Sequence, residues 1–306
     1  MSTTARELAR TTVKGILRLM PGGMPARIYA LLFRGPLGRL GNPLITALLP
    51  ASVRIPEGII ALNQNDPAVS AAVAFGVFEP YETAIFRDVV RPGMTIIDIG
   101  ANIGYFTVIA ATRAGATGHV IAFEPAPENF EMLTKTIESN GFKNVETHMM
   151  AIADTDGTLT LNLFGTNKGK HSVIKDRTID KGFDSSIPVR ATKLDSFLAE
   201  RGIERIDVIK MDIEGAESLA LAGMQKTLAR AAFLFMEFTP TAIRKAGHDP
   251  LGTLQLLRNA GFSLFEIDER AKEKKPISDD VSFLASIPER ECANLFCVKD
   301  ESKIRL

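Results

Sequence analysis

The 306-residue sequence predicts an α/β fold: a mostly parallel seven-stranded sheet with helices on both faces, preceded by a helical N-terminal extension. Three observations predict it. From residue 92 onward, strand-like and helix-like segments alternate steadily, the pattern of a parallel sheet covered by crossover helices. A glycine-rich turn directly follows the first of those strands. The last strands come with little between them, which suggests one antiparallel addition at an edge.

The elements follow in chain order. Residues 1–78 read as a basic extension, helical around Leu8, Ile16, Leu17, Leu19 and Met20, then extended through "SVRIPEGIIAL". Residues 79–306 read as the main domain. Within it "MTIIDIG" (94–100) is a buried strand, followed by a helix from about Ile103 to Arg113 that Gly115 stops. "HVIAFE" (119–124) is the second strand. Pro125-Ala126-Pro127 opens a helix in which Phe130, Leu133 and Ile137 recur at helical spacing before Asn140-Gly141 ends it. "NVETHMMAI" (144–152) is the third strand, and residues 155–195 are an insertion. There Leu159, Leu161 and Leu163 alternate with polar residues, as in a hairpin, and a polar "GTNKGKHSV" loop follows. "IDVIKMDI" (206–213), "AAFLFMEF" (231–238), "FSLFEID" (262–268) and "ANLFCVK" (293–299) complete the seven, with a helix from about Ala216.

Composition sets outer bounds. Charged residues make up 24% and apolar residues 45%, ordinary for a globular protein, and the formal net charge of zero makes no case for nucleic acid. Residues 1–40 nevertheless carry seven Lys/Arg against the single acid Glu7. Such a helix could lie on an anionic membrane surface or cap the domain with solvated cations. No secretory signal shows, and no uncharged apolar run reaches the roughly 18–20 residues of a membrane span, so a cytoplasmic location is expected. Cys292 and Cys297 stand five apart in one strand reading, on opposite faces, so two buried free thiols are expected rather than a disulfide. The oligomeric state has no signature.

The glycine turn carries the chemistry. Asp98, Gly100, Asn102 and Gly104 form an alternating D-x-G-x-N-x-G pattern at the carboxyl end of a strand, where open parallel sheets bind ligands. Gly100 permits the tight turn, and Gly104 is expected to let the helix pack closely on the sheet. The first helical turn offers free N–H groups to an anionic group. Glu124 ends the next strand, where an acid can accept from both ribose hydroxyls. A dinucleotide fold wants glycine where Asn102 stands, and Asp98 would repel phosphates. Both suit a cofactor with a cationic amino-acid tail, such as S-adenosylmethionine. No Tyr-x-x-x-Lys pair or Gly-Lys-Ser/Thr loop supports the alternatives.

"IDIGANIGYFTVIAA", "IAFEPAPENFEML", "VIKMDIEGAE" and "FLFMEF" together resemble the FkbM family of S-adenosylmethionine-dependent methyltransferases over about residues 75–265. The resemblance implies a class I methyltransferase Rossmann-like fold and O-methylation of a small-molecule or glycan hydroxyl. By that likeness Asp98, Gly100, Asn102 and Gly104 line the methionine end of the cofactor, and Glu124 beside Pro125 holds the ribose. Met150 and Ala151 border the adenine, where the nearest acid is Asp154.

The fourth strand's carboxyl end faces the methyl group in this fold. Period-two alternation puts Lys210, Asp212 and Glu214 on one side if the strand runs that far; Glu217 falls in the first turn of the next helix. Asp212 is the expected general base with Lys210 orienting it or steadying the developing oxyanion, or else Asp212, Glu237 and Glu214 bind a divalent cation. A structural ion pair at Lys210 is the third option, and for Glu217 the structural role leads. His171, in the inserted loop with Lys168 and Lys170, could close over substrate; His119 and His148 read as structural, and His248 sits in a turn before a helix. Two other functions stay open: a nicotinamide-dependent oxidoreductase, or a non-catalytic module retaining a nucleoside pocket.

Overall fold

Runs of Ile and Val in which both parities are buried make strands covered on two faces, and the chain builds one sheet from them. The computed structural model describes residues 46–164, 169, 171–174, 185–288 and 291–303; the basic pattern over 1–40 and the loop lysines Lys168 and Lys170 lie outside these. In chain order, β1 (Ser52–Ile55) and β2 (Gly58–Ala61) form a hairpin, followed by α1 (Val69–Phe75) and α2 (Pro80–Val89). The alternating region begins with β3 (Thr95–Ile99), α3 (Tyr105–Ala114), β4 (His119–Phe123), α4 (Pro127–Asn140) and β5 (Val145–His148). Next come β6 (Ala151–Ile152), β7 (Gly157–Leu163), β8 (Ser185–Thr192) and α5 (Leu194–Glu200). The second half adds β9 (Val208–Met211), α6 (Glu217–Ala222), α7 (Gln225–Arg230) and β10 (Phe233–Phe238). It ends with α8 (Pro240–Lys245), α9 (Pro250–Asn259), β11 (Ser263–Asp268), β12 (Glu273–Pro276), α10 (Asp280–Ser286) and β13 (Ala293–Val298).

The main sheet runs β12-β11-β13-β10-β9-β3-β4-β5. Strands β5, β4, β3, β9 and β10 pair in parallel, and β13 runs antiparallel to both neighbours, the one reversed insertion expected near an edge. All seven expected strands are present. β12, a Lys-bearing strand from "EKKP", adds an eighth at the edge, where charged side chains discourage further pairing. Strand order reverses between β3 and β9, so the crevice above their carboxyl ends is the natural ligand site.

Each parity of the strands faces its own layer. Ile96, Val208 and Phe235 pack with Phe86 of α2 and Phe106 and Ile109 of α3. Ile97, Ile209, Met211 and Met236 pack with Leu198, Leu221, Ile243, Leu254 and Leu257 from α5, α6, α8 and α9. Buried polar residues at strand ends therefore meet one specific set of helices, which decides their partners below.

Two local expectations change. The third strand is not continuous: the chain turns after His148, where the Met150 N–H donates to the His148 carbonyl, and β6 departs into a separate three-stranded sheet, β6-β8-β7. That sheet contains the inserted hairpin, with β7 and β8 antiparallel and Leu161 buried. The thiols are both free, but Cys292 precedes β13 and is exposed; Cys297 alone is buried. Among the described residues, no helix is long and apolar enough to cross a membrane.

Candidate active site

Gly100 sits where three segments converge. At φ +85° it accepts the left-handed turn, and a Cβ there would stand 2.0 Å from the Asp212 carbonyl oxygen. Only glycine lets the β3 turn pass the end of β9 at that distance. The Gly100 and Ala101 N–H groups both donate to the Phe123 carbonyl, which draws the end of β4 under the turn. Gly104, at φ +89°, caps α3, but its closest neighbours are Leu133 and Thr136 of α4, so it serves helix–helix contact rather than the expected helix–sheet contact.

Glu124 then lies against the turn. Its Oε2 accepts from the Asn102 N–H (2.9 Å), its Oε1 from the Ala126 N–H (2.8 Å), and the Asn129 side chain also hydrogen-bonds it. Burial pushes its carboxyl up to about 7 despite these donors. Asn102, at φ +50°, holds its side-chain Oδ1 buried without a hydrogen-bond partner among the described residues. An ammonium N–H would satisfy it.

A cleft open to solvent, with about 530 Å³ of empty space, spans the carboxyl ends of β3, β4 and β9. Gly100, Asn102, Glu124, Pro125, Met150 and Ala151 line it, so the structure brings these six together on one wall. Ile152 and Leu161 extend that wall, and Asn129, hidden in the sequence as one polar residue of a helix, lies behind Glu124. Asp154 is exposed and is not among the lining residues, so the wall beyond β5 is apolar.

Asp98 and Gly104 are not among the lining residues either. Asp98 is buried on the α3 side, accepting from Thr107 Oγ1 at 2.5 Å, with its carboxyl raised to about 6 by burial against that hydrogen bond. Its part is to fix α3 to β3 beneath the turn.

The reacting end is arranged differently from the sequence expectation. β9 stops at Met211, so Lys210, Asp212 and Glu214 do not continue on one strand face. Asp212 and Glu214 line the cleft, while Lys210 is buried on the same side as Val208, toward α2 and α3. Lys210 Nζ is 3.1 Å from Glu82 Oε1 and 3.9 Å from Asp212 Oδ2, and lies 4.8 Å over the Phe106 ring. Burial works to discharge the ammonium, but Glu82, Asp212 and Glu79 together hold its pKa above the ordinary lysine range. Glu82, from α2, also accepts from Asn294 Nδ2 at 2.7 Å, which ties α2, β9 and β13 together. Nothing in the local sequence marks Glu82; its partner lies far along the chain.

Glu214 takes a positive φ of 53°, and its carbonyl accepts from Ser172 Oγ at 2.8 Å. The inserted segment thereby closes one side of the cleft, with Gly169, His171 and Val173 among the lining residues. His171 Nδ1 accepts from the Phe164 N–H at 3.1 Å, so its ring also fixes the end of β7.

Glu217 is fully buried. Its Oε1 accepts from the N–H groups of Ile213 (3.0 Å) and Gly215 (3.3 Å), and its Oε2 has no hydrogen-bond partner among the described residues. One carboxylate oxygen each from Asp212, Glu217 and Glu237 lies within 4.8 Å of the others. Burial, then the Glu237 charge, raises Glu217 to about 8; burial, then Asp212, raises Glu237 to about 7.

The strand order, the glycine turn at its reversal point and the acid ending the adjacent strand define a class I methyltransferase fold. The chain belongs to the FkbM methyltransferase family: a family model described as the methyltransferase FkbM domain matches residues 98–264. Hexuronic acid methyltransferase AglP of Haloferax volcanii is 27% identical over 167 residues, covering 54% of this chain and 62% of that protein. The 31-O-demethyl-FK506 methyltransferase FkbM of Streptomyces tacrolimicus is 27% identical over 161 residues, covering 44% and 61%. The 2-O-methyltransferase NoeI of Sinorhizobium fredii is 42% identical over 57 residues, covering 19% and 24%. The chain thus spans about three-fifths or less of the length of these relatives. A crystal structure of methyltransferase FkbM from Methylobacillus flagellatus overlaps at a TM-score of 0.40 with 13% identity, covering 83% of this chain and 58% of the other. It is the strand order and the family match, not that overlap, that define the fold.

Proposed function

We propose that the protein transfers a methyl group from S-adenosylmethionine to a hydroxyl oxygen of a small molecule or glycan. The observation that carries this reading is Glu124, a buried carboxylate already oriented by two backbone N–H groups at the cleft wall. It can accept from a ribose diol, while Asn102 Oδ1 accepts from the donor's ammonium and Met150, Ala151 and Ile152 flank its adenine. The donor's cationic amino-acid tail suits a cleft whose lining carboxylates are Glu124, Asp212 and Glu214. Bound there, it supplies an activated methyl carbon that bonds to the acceptor oxygen as the carbon–sulfur bond breaks, the electron pair staying on sulfur.

Asp212, at the cleft edge, is the group placed to take the hydroxyl proton and pass it to solvent. Lys210, 3.9 Å from Asp212 Oδ2, holds that carboxylate in place from behind the sheet end. The segment around His171 and Glu214 borders the acceptor and screens it from water. Sugar and natural-product hydroxyls are the acceptor class, since AglP, NoeI and FkbM carry such acceptors or oxygen positions in their names. We read residues 79–306 as the methyltransferase domain with its insertion at 155–195, and the basic residues of 1–40 as the part that meets an anionic surface near a lipid-linked acceptor. The expectation of a divalent cation at Asp212 and Glu237 belongs to the same reading and turns on a third carboxylate, Glu217.

The test is incubation of the full chain with methyl-labelled S-adenosylmethionine and hexuronate- and polyol-bearing acceptors, with the product's labelled atom located by NMR. Label on oxygen, lost in Asp212→Asn, supports the reading. Label on nitrogen overturns the hydroxyl acceptor, and saturable NADH binding in place of the methyl donor overturns the class.

A further inference from the structure

We infer that Asp212, Glu217 and Glu237 form a binding site for one divalent, oxygen-preferring cation at the acceptor end of the cleft. The three carboxylates arrive from three different elements: Asp212 just past β9, Glu217 at the first residue of α6, and Glu237 near the end of β10. One oxygen of each lies within 4.8 Å of the other two. Oxygens bound to one Mg²⁺ at roughly 2.0–2.1 Å stand at most about 4.2 Å apart, and to one Ca²⁺ at roughly 2.3–2.6 Å about 5.2 Å apart. The three atoms therefore fit around a single ion with small adjustment.

Proximity of acids alone would not carry this. The independent observation is Glu217 itself. It is fully buried, its Oε1 is committed to two backbone N–H groups, and its Oε2 has no hydrogen-bond partner among the described residues. A buried polar oxygen without a partner is costly unless it is hydrogen-bonded or bound to metal. Lys210 is not that partner: among the described residues its ion pairs run to Glu82 and Asp212. A helix-start carboxylate serving only as a cap would not need to lie at the meeting point of two further carboxylates.

The donor set chooses the ion class. Three carboxylates are hard ligands that suit Mg²⁺, Mn²⁺ or Ca²⁺. Cys292 hydrogen-bonds Glu237 through its thiol and so acts on the ligand rather than as one. Asp212 is the only one of the three that lines the cleft. An ion held there presents its open positions to water or to an acceptor oxygen, and a coordinated hydroxyl loses its proton more readily. That catalytic use rests on the methyl-transfer reading; the binding of the ion does not.

The test uses the full chain stripped with a chelator and titrated with Mn²⁺, free Mn²⁺ being read by its EPR signal, with S-adenosylhomocysteine binding measured in parallel. One saturable site per chain that Mg²⁺ or Ca²⁺ displaces, weakened roughly tenfold or more in both Glu217→Gln and Glu237→Gln, is the expected result. Circular dichroism and retained S-adenosylhomocysteine binding show that the variants fold. If Glu217→Gln does not fold, Glu237→Gln, at a half-buried position, decides alone. Absence of saturable Mn²⁺ binding, or unchanged binding in Glu237→Gln, overturns the inference. Failure of the wild-type chain to bind S-adenosylhomocysteine would overturn the methyl-donor reading instead, and Mn²⁺ binding would still stand.

Discussion

Lys210 and Glu82 form a buried ion pair, Nζ to Oε1 at 3.1 Å, with side chains 4% and 1% exposed. It joins the central strand β9 to α2, a helix upstream of the family match. Asp212, two residues beyond Lys210, receives only the longer 3.9 Å contact. The lysine is thus anchored first and assists Asp212 second, which combines the structural and the orienting roles that the sequence left as alternatives.

Removing one partner of such a pair leaves an uncompensated buried charge. Glu82→Ala should lower stability by about 3–5 kcal/mol, which at roughly 2–4 °C per kcal/mol is a fall in Tm on the order of 10 °C. The double variant Glu82→Gln, Lys210→Met should recover much of it, because the unpaired charge is gone. Thermal unfolding of Glu82→Gln, Lys210→Met and the double variant, beside Glu82→Ala, checks this. Additive losses would show that the two residues do not act as a pair.

The glycine turn makes a graded prediction. Gly100→Ala places a methyl group against the Asp212 backbone carbonyl at a positive φ, and backbone cannot yield as a side chain can. It should cost on the order of 3 kcal/mol and abolish donor binding. Gly104→Ala meets the flexible end of Leu133 at 2.9 Å and should cost about 1–2 kcal/mol. Urea denaturation of both variants tests the order, and equal losses would contradict it.

The sheet and the cleft wall at its carboxyl end were legible because they are local. Ile/Val runs mark buried strands, and the Asp98–Gly104 turn and Glu124 lie within one strand–helix–strand unit. What was hidden is long-range or lacks an apolar signal. Glu82 meets Lys210 only through the packing of α2 on one sheet face. β12 is charged, so no alternation announces it. The break in the third strand follows from a turn at His148 that leaves Met149 half exposed inside an apolar run. Glu217 looked like an ordinary helix-start charge until its burial and its two neighbouring carboxylates were placed.

Buried acids give the protein a pH signature. Burial raises Asp98 from 3.8 to about 6 and Glu124 from 4.5 to about 7. Between those values the folded chain keeps protons that the unfolded chain has released. The stability they contribute is complete below the unfolded values and is lost as pH rises through the folded ones. Without ligand, Tm should fall between pH 5 and pH 8, and Glu124→Gln should flatten part of that fall. Donor affinity should run the opposite way, weakening below about pH 7, because ribose hydroxyls bond best to the ionised carboxylate. Calorimetry across this range tests both slopes, and a donor affinity independent of pH would contradict the role of Glu124.

Asp212→Asn should separate chemistry from binding. If Asp212 takes the acceptor proton, kcat falls by roughly 10²–10⁴ while S-adenosylhomocysteine affinity changes little. His171→Ala, which loosens the end of β7, should act mainly on the acceptor KM. Steady-state kinetics with an acceptor found by the labelled-methyl assay distinguishes these. An unchanged kcat in Asp212→Asn would remove it from the proton transfer.

The most direct measurement is calorimetric titration of the full chain and of Glu124→Ala with S-adenosylhomocysteine. Two hydrogen bonds to a charged oxygen pair at about 1.5–3 kcal/mol each predict that affinity falls at least roughly 100-fold in the variant. Saturable binding to the wild type with that loss is the predicted result. Equal affinity in the two proteins, or no binding to either, would contradict the assignment of the cleft to the methyl donor.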